Sequence, residues 1–159
     1  MPDQFFIFGA VYAFVIPIVA VLWVFFRLGS FDRKRMVGFA VFSLPITYLV
    51  DYFAGKLYYN PRPFVSDGVM PLIKHNAVNG FPSDHTILCG ALAALIGPFY
   101  PRLSLWMWVV TIFVGLSRVY VGVHHIVDII ASVAITAVVG WLVWKSGLVN
   151  KIAKKEGQS

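Results

Sequence analysis

Ser117, Arg118, His124 and Asp128 share one polar stretch, Ser-Arg-Val-Tyr-Val-Gly-Val-His-His-Ile-Val-Asp, that separates two long apolar runs. Ionisable groups gathered inside so apolar a sequence mark a functional site. His124 and Asp128 are four residues apart, so on a helix beginning near His124 they share a face, and the carboxylate can hold an imidazole N–H and support positive charge on the ring. That arrangement makes a histidine nucleophile or base. Arg118 carries a planar fork suited to phosphate oxygens, and Gly122 lets the chain between them turn back, so that Arg118 and His124 could meet on one ligand. A helix cap with satisfied polar groups has the same local pattern, so the rest of the chain must decide.

Two further patches carry the same kinds of group. Lys56 and Arg62 are six residues apart, and Pro61 and Pro63 flank Arg62; the prolines stiffen the backbone there and would preorganise a pair of cations for an anion. In Phe81-Pro-Ser-Asp-His-Thr86, Ser83 is a natural N-cap. A helix start offers free N–H groups and partial positive charge, so a phosphate could rest against Ser83 while His85, in the first turn, reaches it.

The elements that must position these groups are membrane helices. Hydrophobic residues make up 59% of the 159-residue chain and charged residues 13%, well beyond a soluble domain. The apolar runs are too long and uniform to present a polar face. The expected fold is all-α, an integral membrane bundle of about five transmembrane helices in one domain over residues 1–149, followed by a basic, disordered tail over 150–159. The spans fall at Phe5–Leu28, Met36–Tyr59, Ser83–Tyr100, Leu103–Val119 and His125–Leu148, with Pro17 and Pro45 as kinks. Between spans two and three lies a polar loop over residues 60–82, with room for a short interfacial helix. The lone Cys89 excludes an internal disulfide and reads as packing.

The net charge of +6 serves topology and not nucleic acid, because no basic stripe interleaves with aromatics outside the apolar runs. Arg33, Lys34 and Arg35 form a short basic loop, and Lys145, Lys151, Lys154 and Lys155 follow the last span. By the positive-inside rule these lie in the cytoplasm, which puts the N-terminus outside and the C-terminus inside. Lys56, Arg62, Lys74 and Arg118 remain outside, with all three patches.

Taken in order, the three patches resemble the signature motifs of the type-2 phosphatidic acid phosphatase superfamily. The third is matched completely by Ser117, Arg118, His124 and Asp128; the second by Pro82, Ser83 and His85, with Asp84 where the family carries Gly. The first departs by one residue, because five residues and not six separate Lys56 from Arg62, and one residue turns a helical side chain by about 100°. Within the superfamily the wording is most similar to the bacitracin-resistance type of undecaprenyl-pyrophosphate phosphatase. The resemblance implies an enzyme of the bacterial plasma membrane with an outward-facing active site. It implies attack by His124 on the terminal phosphorus, orientation of His124 by Asp128, and protonation of the leaving oxygen by His85. Arg62, Ser83, Arg118 and Lys56 would hold the phosphate, with no metal and no cofactor.

Two readings of other classes stay open. One is a metalloenzyme using His75, His85, His124 and His125; the other is a membrane protein that binds anionic lipid without turnover. Phosphatidic acid, phosphatidylglycerophosphate and lipid A phosphate are alternative substrates. On the phosphatase reading His75 and His125 are bystanders, and Asp51 forms a structural ion pair with Arg118 or Lys56.

Overall fold

The computed structural model describes residues 2–150, which are helical apart from short connections and one long loop. Its helices are α1 (Pro2–Val11), α2 (Val15–Arg27), α3 (Ser30–Leu57), α4 (Pro63–Ser66), α5 (Asp84–Ile96), α6 (Pro101–Tyr120) and α7 (Ile126–Lys145). Three of them, α3, α6 and α7, are long and apolar enough to cross a membrane, and α1 with α2 makes a fourth candidate span bent by 48°.

Among the described residues the helices with the length and apolarity of a span thus number three or four, against about five expected, and the difference is α5. Its apolar run continues to Tyr100, but the helix stops at Ile96, ahead of Pro98, because proline has no N–H to carry on the helical ladder; the Ala94 carbonyl is met instead by the N–H of Gly97 at 3.1 Å. Thirteen residues reach about 20 Å, short of the ~30 Å hydrocarbon core. The half-length helix packs against α2, α3, α6 and α7, and Cys89, Ala93 and Ile96 are fully enclosed there.

The proline expectations separate. The first span breaks at residues 12–14, one turn before Pro17, where the missing N–H and the ring both disrupt the carbonyl four residues back. Pro45 instead sits inside an unbroken 28-residue helix. The expected basic loop is also corrected: Arg33, Lys34 and Arg35 lie in the first turns of α3, and the link from α2 is only Leu28 and Gly29. Arg33 caps the preceding helix end by donating to the carbonyls of Phe25 and Leu28. The tail residues Lys151, Lys154 and Lys155 lie outside the described residues.

Packing divides the interior by depth. At the end bearing Arg33 to Arg35, Val24, Met36, Phe39, Ile96, Met107, Val139 and Val143 form the largest apolar cluster. Toward the opposite end a column of hydroxyls replaces it, with Thr86, Ser117, Ser132 and Thr136 all buried. Small side chains let membrane helices approach closely and bond across the gap. The start of α1, the end of α3, the starts of α5 and α7 and the end of α6 meet beside these hydroxyls, beneath the loop of residues 67–82.

Candidate active site

His124 lies in the connection between α6 and α7 and is 2% exposed, so its ring is held by protein groups on all sides. Its Nδ1 is 2.8 Å from the Gly80 carbonyl and 3.3 Å from Asp128 Oδ2. Both are acceptors, so Nδ1 carries the proton and Nε2 carries the lone pair. That lone pair faces two guanidinium groups: Arg62 Nη1 at 3.1 Å and Arg118 Nη2 at 3.5 Å. Burial, reinforced by Arg62 and Arg118, holds the imidazole below its ordinary pKa against the pull of Asp128. A neutral ring with its lone pair aimed between two cations is suited to attack an electrophile that those cations hold.

The sequence assigned the N–H of His124 to Asp128 alone, but the shorter contact is to Gly80. A side chain at that position would crowd the site, because a Cβ on Gly80 would meet the Asn60 carbonyl at 3.1 Å and Asp128 Oδ2 at 3.3 Å, and one of them would have to give way by a few tenths of an ångström. Asp128 is completely buried and its oxygens are shared out. Oδ1 accepts from Asn60 Nδ2 at 2.7 Å, and Oδ2 accepts the His125 N–H at 2.8 Å.

Asn60 is a positioning residue that the sequence reading missed. Its place between α3 and Arg62, in Tyr-Asn-Pro-Arg-Pro, was the available signal. Asn60→Ala removes a charge-assisted hydrogen bond worth roughly 1.5–3 kcal/mol, so kcat is expected to fall about 10- to 100-fold with KM little changed. Steady-state kinetics of the variant check this; an unchanged kcat would show that Asp128 keeps its place without Asn60.

Arg62 and Arg118 are each 3% exposed, and no carboxylate pairs with either among the described residues. Arg62 donates to the carbonyls of Val123 at 2.7 Å and Asn79 at 3.4 Å, and Arg118 to the Ala10 carbonyl at 3.3 Å. The Nε–H of each guanidinium is buried and finds no partner among the described residues. Two buried cations with unspent donors call for an anion, since burial of an uncompensated charge is costly.

Ser83 is fully buried at the start of α5. It occupies the N-cap position, but its side chain makes no cap bond. Its Oγ accepts from Thr86 Oγ1 at 3.1 Å, and its N–H donates to Ser132 Oγ at 2.9 Å, which ties α5 to α7. His85, next in the first turn, makes no hydrogen bond; its ring stands perpendicular to Phe14 at 5.4 Å, within electrostatic range of Arg118 and His124. The kink between α1 and α2 thus supplies the wall behind His85.

Lys56 is not brought to this group. α3 continues through Leu57 without unwinding, and the Lys56 ammonium lies 5.5 Å over the Tyr52 ring. It lines an adjoining cleft of about 270 Å³ with Asp51, Asn79 and Asp84. The ion pair expected for Asp51 does not form: one of its oxygens is buried without a partner. Asp84 is exposed in the first turn of α5, where the helix dipole favours a carboxylate.

His75 and His125, read as bystanders, both join the network. His125 approaches Asp67 at 3.2 Å and Asn60 at 3.1 Å, which steadies the start of α7. His75 reaches in from the loop to 2.9 Å from Arg118 Nη2. A metal-binding arrangement of the histidines has no support, because guanidinium donors face the Nε2 lone pairs of both His75 and His124. Among the described residues no three His, Cys, Asp or Glu side chains gather to hold an ion.

Comparison with known proteins agrees with this geometry. Residues 36–151 match the model of the PAP2 superfamily. The chain is 30% identical over 174 residues to undecaprenyl-diphosphatase BcrC of Bacillus subtilis, covering 96% of this chain and 87% of that protein. Its fold is similar to the crystal structure of Aquifex aeolicus LpxE, with TM-score 0.73 at 19% identity over 90% of this chain and 85% of that one. It is also similar to the PAP2-type phosphatidylglycerolphosphate phosphatase of B. subtilis, with TM-score 0.62 at 23% identity over 94% of this chain and 77% of that one. The family match takes in both buried arginines and His124, and the chain belongs to the PAP2 superfamily as a membrane lipid phosphatase.

Proposed function

We propose that this protein hydrolyses undecaprenyl diphosphate to undecaprenyl phosphate and inorganic phosphate, without a metal ion, through a phosphohistidine at His124. The observation that carries the reading is the pair of buried, carboxylate-free guanidinium groups meeting at the lone pair of His124 Nε2. In phosphoryl transfer the protein mainly positions the group and stabilises charge on its equatorial oxygens. Arg62 and Arg118 supply that charge, with Ser83 as a further donor. The hydroxyl of Ser83 can turn from its neighbour to the substrate.

The proposed reaction has two steps. His124 Nε2 bonds to the terminal phosphorus as the phosphorus–oxygen bond to the lipid phosphate breaks in line, and His85 gives that oxygen a proton. Water, deprotonated by the now neutral His85, then attacks the phosphohistidine and frees His124. The Nδ1–H, held by Gly80 and Asp128, stays in place, and Asp128 offsets the positive charge that the ring carries while phosphorylated. Lys56 faces the adjoining cleft and is proposed to meet an incoming head group before the phosphate reaches Arg62.

Undecaprenyl diphosphate is favoured among lipid phosphates because the relative that matches nearly the whole chain is named for it. The active site is proposed to face outward, since Arg33, Lys34, Arg35 and Lys145 lie at the opposite ends of their helices. Phosphate release from undecaprenyl diphosphate, phosphatidylglycerophosphate and phosphatidic acid, compared with detergent-purified protein in a chelator, tests the assignment. The expected kcat/KM is highest for undecaprenyl diphosphate; a higher value for either phosphomonoester overturns the substrate, and turnover only with added divalent cation overturns the mechanism.

A further inference from the structure

We propose that His75 is a further substrate-contacting residue, whose Nε2 binds as an imidazolium to the phosphoryl oxygen held by Arg118, so that anion binding takes up one proton. The inference rests on the phosphate-site reading above and adds to it a loop residue outside the three motifs.

The loop is built to hold His75 in place. Leu72 N–H donates to the Val121 carbonyl at 3.0 Å, and Ile73 packs on the buried cluster of Ala10, Val121 and Val123. Gly122, at φ +79°, lies against Val69 and Pro71 at 3.2 and 3.4 Å from where a Cβ would sit, a left-handed turn that suits glycine. Beyond the histidine, Asn79 fastens the other end, accepting from the N–H groups of Asn60 and Phe81 and donating to Gly55 and Tyr58. Ile73 and His75 face inward while Lys74 and Asn76 are exposed, the alternation of an extended chain.

His75 Nε2 lies 2.9 Å from Arg118 Nη2, and its ring centre is 6.3 Å from that of His124. A guanidinium cannot accept a hydrogen bond, so in this arrangement Nε2 carries the lone pair and His75 is neutral. Its Nδ1 is turned to the Asn76 carbonyl. One Nη2 thus serves both His75 and His124, so an anion attacked by His124 and held by Arg118 comes within a hydrogen bond of His75.

A lone pair there would repel the anion's oxygen, whereas N–H⁺ donates to it. The groups facing His75 are Arg62, Arg118 of α6, His124 and His85 of α5. Burial first, then Arg62 and Arg118, keep its pKa below the ordinary value. An anion among them reverses the electrostatic part, so the bound state is protonated over a wider range and affinity falls as pH rises between the two pKa values.

The test is the inhibition constant of tungstate, a tetrahedral dianion that does not titrate near neutral pH, measured against hydrolysis of farnesyl diphosphate over a pH series. It compares wild type with His75→Gln and His75→Lys. The titrations of His85 and His124 are common to all three. His75→Gln is expected to bind tungstate roughly tenfold or more weakly at the acid end and to converge with wild type at the alkaline end. His75→Lys should keep tight binding across the series. The same pH profile in wild type and His75→Gln, or equal weakening at every pH in both variants, overturns the proposal; tighter binding in His75→Gln does so as well, by making the loop only a plug. Wild-type protein that neither hydrolyses the substrate nor binds tungstate would instead refute the phosphate-site reading.

Discussion

His124→Ala is expected to abolish phosphate release, lowering kcat by about 10⁴-fold or more, while purified yield and tungstate binding change little. The large effect follows from the single lone pair that the fold delivers. Gly80 and Asp128 occupy Nδ1, so Nε2 alone can bond to phosphorus, and no second nucleophile adjoins it among the described residues. Tungstate binding persists because Arg62 and Arg118 are anchored independently, on the carbonyls of Val123 and Ala10. His124→Gln is the companion variant, since an amide can keep the bond to Gly80 but cannot attack. Activity within tenfold of wild type in either variant would mean that water attacks directly, with His124 only in support.

The second large effect is a split between substrates. His85→Ala is expected to lower hydrolysis of phosphatidylglycerophosphate by roughly 10²–10⁴-fold, the usual worth of a general acid. The loss on undecaprenyl diphosphate should be clearly smaller. A diphosphate expels a phosphate, whose second pKa is about 6, and needs little help; a monoester must expel an alkoxide and needs the proton. Packing holds His85: Phe14 stands edge-on to its ring at 5.4 Å. Equal losses on the two substrates, measured as kcat/KM, which reports the phosphorylation step and not the hydrolysis they share, would show that His85 does not serve leaving-group departure.

The chemistry was legible in the sequence to the extent that it was local. Arg118, His124 and Asp128 lie within one turn-and-helix segment, and its spacing predicted their meeting. Arg62 and Ser83 could be placed because each adjoins a helix end at the same depth. His75, Asn60 and Gly80 were not legible, because each acts through a contact made across at least 43 residues of sequence. A loop histidine or a glycine next to Phe-Pro carries no periodic signal.

The elements show the same limit. Apolar runs located α3, α6 and α7, yet hydropathy could not distinguish a full span from the 13-residue α5, since a helix enclosed by protein is as apolar as one facing lipid. Clustered arginines after α2 read as a loop because charge marks a membrane boundary, not the end of helical backbone. The one-residue difference at Lys56 has a structural counterpart: α3 is regular to Leu57, and the ammonium lies over Tyr52.

The central claim is a double displacement at phosphorus through a phosphohistidine, and stereochemistry tests it most directly. A lipid diphosphate whose terminal phosphorus is made chiral with sulfur and two oxygen isotopes would be hydrolysed, with chelator present, in water of the third isotope. Two successive in-line displacements, first by His124 and then by water, predict net retention of configuration. Net inversion would show a single displacement by water and would contradict the account.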